Sequence, residues 1–146
     1  MLTVPYLRDQ KEEALKRLSI KNFNNTALVD EILMMDEERR QAQQENDETL
    51  AEMNNIAKEI GILFKSGQAG QADALKNRNT ALKDKSKNLS ERINNLKDSI
   101  QAKLVEIPNV PHLTVPRGRV AADNEIVATA GTMPHLIEGA QPHWDL

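Results

Sequence analysis

The chain has 146 residues, no cysteine, 28% charged and only 3% aromatic residues, and a net charge of −3. The lack of cysteine excludes disulfides, thiol chemistry and zinc–thiolate sites. No apolar run approaches the length of a bilayer span, and the mild net acidity argues against non-specific nucleic-acid binding.

Residues 3–19 read as one short helix. Pro5 suits its first turn, Thr3 or Val4 stands near the cap, and Leu7, Ala14, Leu15 and Leu18 form its apolar face. No signal-peptide pattern opens the chain, so a cytoplasmic protein is expected. Lys21 to Thr26 is polar and reads as a loop, with Thr26 able to cap the next helix.

Two heptad ladders follow. Ile32, Met35, Arg39, Ala42, Asn46, Thr49, Met53, Ile56, Ile60 and Leu63 alternate at spacings of three and four. Ala72, Leu75, Asn79, Leu82, Ser86, Leu89, Ile93, Leu96, Ile100 and Lys103 do the same. This spacing is the seam of a coiled coil. Between the ladders lies Ser66-Gly67-Gln68-Ala69-Gly70, a break that folds one helix back on the other. Helices over 27–65 and 70–106 therefore make one long antiparallel hairpin. At about 1.5 Å per residue, the 38 residues from Leu28 to Lys65 span on the order of 57 Å. A rod of this kind encloses no deep active site, and its function should be reach and contact.

Charge differs between the two helices. Leu28 to Lys65 has ten acids and four bases, and Gly70 to Glu106 has five acids and eight bases. Glu31, Glu38, Glu45, Glu52 and Glu59 occupy every heptad g position of the first helix. Setting Ile60 opposite Leu75, Met53 opposite Leu82, Asn46 opposite Leu89 and Thr49 opposite Ser86 also sets Glu59 against Arg78, Glu52 against Lys85 and Glu45 against Arg92. The apolar and charge patterns thus agree on one register. In it, Lys97 faces Asp36, and Arg39 runs its stem along the seam to put its head in water.

The second helix should end near Val105, because Pro108 and Pro111 cannot continue it. Residues 107–146 hold five of the six prolines and all three histidines. Glu125 to Ala130 alternates weakly and could form one strand. The spacing of His112, His135 and His143 fits no metal-ligand motif, so no metal site and no catalytic residue is assigned. The fold class is therefore mainly α: a short N-terminal helix, a long antiparallel two-helix coiled-coil hairpin, and an irregular tail with room for one strand.

Ile107-Pro108-Asn109-Val110-Pro111-His112, then Val115-Pro116, Asp123-Asn124-Glu125 and Pro142-His143-Trp144-Asp145-Leu146, resembles the segment joining arm to catalytic core in bacterial seryl-tRNA synthetases. Asp36-Glu37-Glu38-Arg39-Arg40 and Lys58-Glu59-Ile60-Gly61 are similar to that family's first arm helix. The resemblance covers essentially the whole chain. It implies that residues 1–106 are a tRNA-binding arm that grips the long variable arm of serine tRNA. It further implies that residues 107–146 are a linker and the start of a truncated class II catalytic domain. The parent enzyme would use ATP and Mg2+ and form a homodimer. This chain would carry no cofactor, would not charge tRNA alone, and would be a monomer with no DNA or membrane partner.

Within that reading, Lys76, Lys83 and Lys87 have no acid across the seam. With Lys65, and Lys58 nearby, they form the candidate RNA-binding patch. Phe64 could stack on a base, but its e position beside the seam favours packing. When the resemblance is set aside, the same residues describe a structural or adaptor coiled coil with a protein partner.

Overall fold

The computed structural model describes residues 2–68, 70, 72–132, 135–141 and 143–145. Ala69 of the glycine break, and Pro142 and Leu146 of the closing motif, lie outside these. Four helices carry the architecture: α1 (Val4–Asp9), α2 (Lys11–Leu18), α3 (Thr26–Lys65) and α4 (Ala72–Leu104). The helices α3 and α4 pack against each other as the expected antiparallel hairpin.

The N-terminal helix is two helices. Thr3 caps α1 by accepting the Tyr6 N–H, with Pro5 in the first turn. Gln10, at φ −137° and ψ 43°, then breaks the helical path, and α2 restarts at Lys11. The bend lets Leu7 and both Ala14 and Leu18 bury in one core, where each is fully shielded from solvent. A straight helix over 3–19 would hold them on a single line.

That core sits at the root of the hairpin. Leu2, Leu7, Ala14, Leu18, Leu28, Val29, Ile32, Ile100 and Ile107 form one buried cluster, which Tyr6, Phe23 and Leu104 flank. Lys11 pairs with Asp30, tying α2 to the start of α3. Asn25, one residue before the expected Thr26, caps α3 by accepting the Leu28 N–H at 3.1 Å. Both residue types cap well, and Thr26 instead enters the first turn.

A second anchor at the root was not expected. Asp36 is buried at 4% exposure, although it lies at an e position. Its Oδ1 accepts Arg39 Nη2 at 2.7 Å, and its Oδ2 accepts Arg8 Nη1 at 3.2 Å. The carboxylate therefore joins α1 to α3 and does not face Lys97. Arg39 turns onto Asp36 and stays only partly exposed to water.

Within the seam, Ser86 donates to Asn46 Oδ1 at 2.8 Å. Thr49 turns its hydroxyl back to the Glu45 carbonyl. Toward the root, Ala42, Leu89 and Ile93 form a second buried cluster. At the tip, α3 closes in a Schellman turn. Gly67 takes φ +76°, Gln68 N–H reaches the Leu63 carbonyl at 3.0 Å, and Gly67 N–H reaches that of Phe64 at 3.3 Å.

The tail lies against the root through a few polar ties. Leu2 N–H donates to Asn109 Oδ1, Arg17 donates to the Pro111 carbonyl, and Asn22 donates to the Gly118 carbonyl. Asp123 accepts the backbone N–H groups of Arg119 at 2.7 Å and Val120 at 3.1 Å. These bonds hold its carboxyl below the usual carboxylate value. The strand expected over Glu125 to Ala130 is not formed, and the described residues contain no strand. With no second strand to satisfy its backbone, the segment stays irregular, and Ile126 and Val127 are exposed.

Candidate nucleic-acid interface

The two long edges of the hairpin differ in chemistry. One edge is built from g positions. There Arg78 pairs with Glu52, Lys85 with Glu45 at 2.7 Å, and Arg92 with Glu38 at 3.3 Å, while Lys103 reaches Glu31 at 3.0 Å. The Lys85 ammonium is raised above the ordinary lysine value, chiefly by its hydrogen bond to Glu45. This edge is neutralised by its own cross-helix pairs.

The pairs correct the expected register. Ser86 meets Asn46 where Thr49 was expected, a slide of three residues or about 4.5 Å. Each base then finds the glutamate one heptad nearer the root: Glu52 rather than Glu59 for Arg78, Glu45 rather than Glu52 for Lys85, and Glu38 rather than Glu45 for Arg92. The glutamates repeat every seven residues, so a slide near half a heptad moves each base from one to the next. In the observed register Ile32 and Ile100 share the root cluster.

The opposite edge is built from e positions with b positions beside them. Its two sides meet at the tip, where the Lys76 ammonium sits 5.0 Å from the centroid of the Phe64 ring. Phe64, Ala57 and Leu50 follow one another down the α3 side at seven-residue spacing, and Lys76 and Lys83 do so on α4. Lys87, at b, flanks them. From Leu50 to Lys65 the only acids are Glu52 and Glu59, and both lie at g. The distal e edge therefore carries lysine without glutamate on a chain that is acidic overall.

Lys65, Lys83 and Lys87 are exposed, and none has an ion pair among the described residues. Lys97 and Lys58 share that condition. Lys76 is different from the expectation. It pairs with Asp73 at 2.9 Å one turn earlier on its own helix, an i,i+3 contact, while resting over Phe64. The Asp73–Lys76 spacing of three residues is a local signal, legible in the sequence. Phe64 itself is half exposed, so it is not the packed seam neighbour its e position suits. No described group of three His, Asp or Glu side chains could hold a metal ion.

Residues 1–111 match the family model for the seryl-tRNA synthetase N-terminal domain. The chain is similar to the serine–tRNA ligase of Salinibacter ruber, at 32% identity over 146 residues, covering all of this chain and 34% of the relative. It is 35% identical to that of a Synechococcus species, over 98% of this chain and 33% of the relative. Among solved structures it resembles the seryl-tRNA synthetase of Pyrococcus horikoshii complexed with ATP. That likeness has a TM-score of 0.73 and 30% identity, covering 84% of this chain and 27% of the other. The chain spans about a third of the length of the curated relatives it matches.

Proposed function

Because the chain belongs to the seryl-tRNA synthetase N-terminal domain family, we propose that its hairpin is a tRNA-binding arm that grips the long variable arm of serine tRNA. The observation that carries this reading is the glutamate-free distal edge. A rod bridged by cross-helix pairs on one side, with Lys65, Lys83 and Lys87 free of ion pairs among the described residues on the other, offers a polyanion one edge in preference. RNA duplex offers phosphates, 2′-hydroxyls and a shallow groove to such a rod, so recognition would rest on shape and backbone.

Lys65, Lys83 and Lys87 are the residues assigned to phosphates, with Lys76 beside them, paired with Asp73 and set over Phe64. Residues 107–146 would lead from the arm into a class II catalytic core. The complete protein would be a cytoplasmic, homodimeric ligase using ATP and Mg2+, and the arm alone a monomer. No step of that chemistry is assigned to this chain, whose described residues supply no metal-ligand cluster.

The test is binding of the chain to serine tRNA across a salt series, with a variable-arm deletion as control. Binding that needs the variable arm and falls steeply with salt supports the arm. Salt-insensitive capture of a protein partner, with no affinity for tRNA, would replace it with an adaptor coiled coil.

A further inference from the structure

We propose that Phe64 is a binding residue for an unpaired nucleotide of the RNA, stacked on a ring that Lys76 holds in place. The inference rests on the RNA-binding reading and adds a ligand feature to it. Phe64 is the only aromatic residue between Thr26 and Leu104. Tyr6 and Phe23 belong to the root core, and Trp144 lies in the tail. A rod that needed only solubility and a seam would have no use for a ring at its far end, half exposed to water.

The surroundings of the ring are specific. Phe64 is the next-to-last residue of α3, where the Schellman turn fixes the backbone. The Lys76 ammonium stands 5.0 Å from the ring centroid and 2.9 Å from Asp73 Oδ1. It is held by a carboxylate and by the ring quadrupole together. Lys65 is the neighbouring residue in sequence, and Lys83 lies two turns, or about 10.5 Å, along α4 from Lys76. The exposed Ile62 adds apolar surface at the same tip.

A half-exposed ring with an ammonium over one face, on a lysine-bearing edge, matches one element of RNA. An unpaired nucleotide presents a base face with a phosphate on either side, whereas a base inside a duplex hides both faces in the stack. The ring would take the base and the lysines its phosphates, while the stem lies along the e edge toward Lys83 and Lys87. The ligand class is therefore a stem that ends or is interrupted by unpaired nucleotides, rather than uniform duplex.

The experiment compares two RNAs on the 146-residue chain: a stem-loop carrying 2-aminopurine in its loop, and the same stem as a blunt duplex. The unsubstituted chain should prefer the stem-loop by about five-fold or more and change the 2-aminopurine fluorescence. Phe64→Leu should abolish the preference and the fluorescence change, while duplex affinity and its salt dependence stay. Phe64→Trp should restore both. Unchanged helicity in each variant excludes a folding effect. Equal binding of the two RNAs by the unsubstituted chain, or a preference that survives Phe64→Leu, overturns the proposal and leaves the arm reading standing. Salt-sensitive binding to neither RNA overturns the arm reading and this proposal with it.

Discussion

The Ser86 hydroxyl donates to Asn46 Oδ1 at 2.8 Å across the hairpin seam, and this bond marks the register that the cross-helix ion pairs follow. Each group is the other's cross-helix partner within the seam. Truncating one strands the other. Asn46→Ala or Ser86→Ala should each cost about 1–2 kcal/mol in urea unfolding. A double-mutant cycle should return a coupling of about 0.5–1.5 kcal/mol.

Asp36 is the buried charge of the root, and its two arginines are less buried than it is. Asp36→Ala should destabilise the chain by about 2–3 kcal/mol, below the full cost of breaking a buried pair because water still reaches Arg8 and Arg39. Arg8→Ala should cost under about 1 kcal/mol. Amide exchange should show α1 detaching in the Asp36 variant while the distal hairpin keeps its protection.

Leu18 has no exposure and packs where α2 meets the hairpin. Leu18→Ala should cost about 2–5 kcal/mol by thermal or urea unfolding. Leu50→Ala, at an exposed site on the distal edge, should cost far less.

The seam spacing and the glycine break made the hairpin legible, because three-four periodicity and a left-handed glycine are local signals. The register was not legible. Glutamates repeating every seven residues cannot tell one heptad from the next, and the choice between them is made by tertiary packing along the whole seam and root. The burial of Asp36 was hidden for a related reason: Arg8 lies 28 residues away and arrives only through tertiary packing. The break at Gln10 has no glycine or proline to announce it. Of the candidate site, Lys65, Lys83 and Lys87 stand exposed as expected, whereas Lys76 needed the structure to reveal its hold on Phe64.

The two edges predict opposite behaviour under charge reversal. Lys83→Glu and Lys87→Glu should each weaken RNA binding and reduce the slope of log affinity against log salt by about 1. Arg92→Glu, on the bridged edge beside Glu38, should leave the RNA slope unchanged and lower hairpin stability slightly. Titrations at several salt concentrations separate the two.

Lys85 links a small part of the hairpin's stability to pH. Its folded-state pKa lies above the ordinary 10.5, mainly through Glu45. The pair's contribution is whole below pH 10.5 and fades as pH rises through the folded value. Loss of helicity on raising the pH past 10.5, followed by circular dichroism, should be shallower in Lys85→Met.

The packing of the seam changes along its length. Large apolar clusters fill the root and reach Ala42, Leu89 and Ile93. Toward the tip, beyond Asn46 and Thr49, only Ile56 and Ala72 of the described seam are buried, and Met53, Ile60, Leu63, Leu75, Asn79 and Leu82 are half-buried. Mechanically the hairpin is a tapered cantilever, clamped at one end and compliant at the other. A load at the tip is taken up as bending beyond the Asn46–Ser86 layer before it strains the root. The far end can then adjust to the contour of what it touches, while the direction in which the rod points stays set.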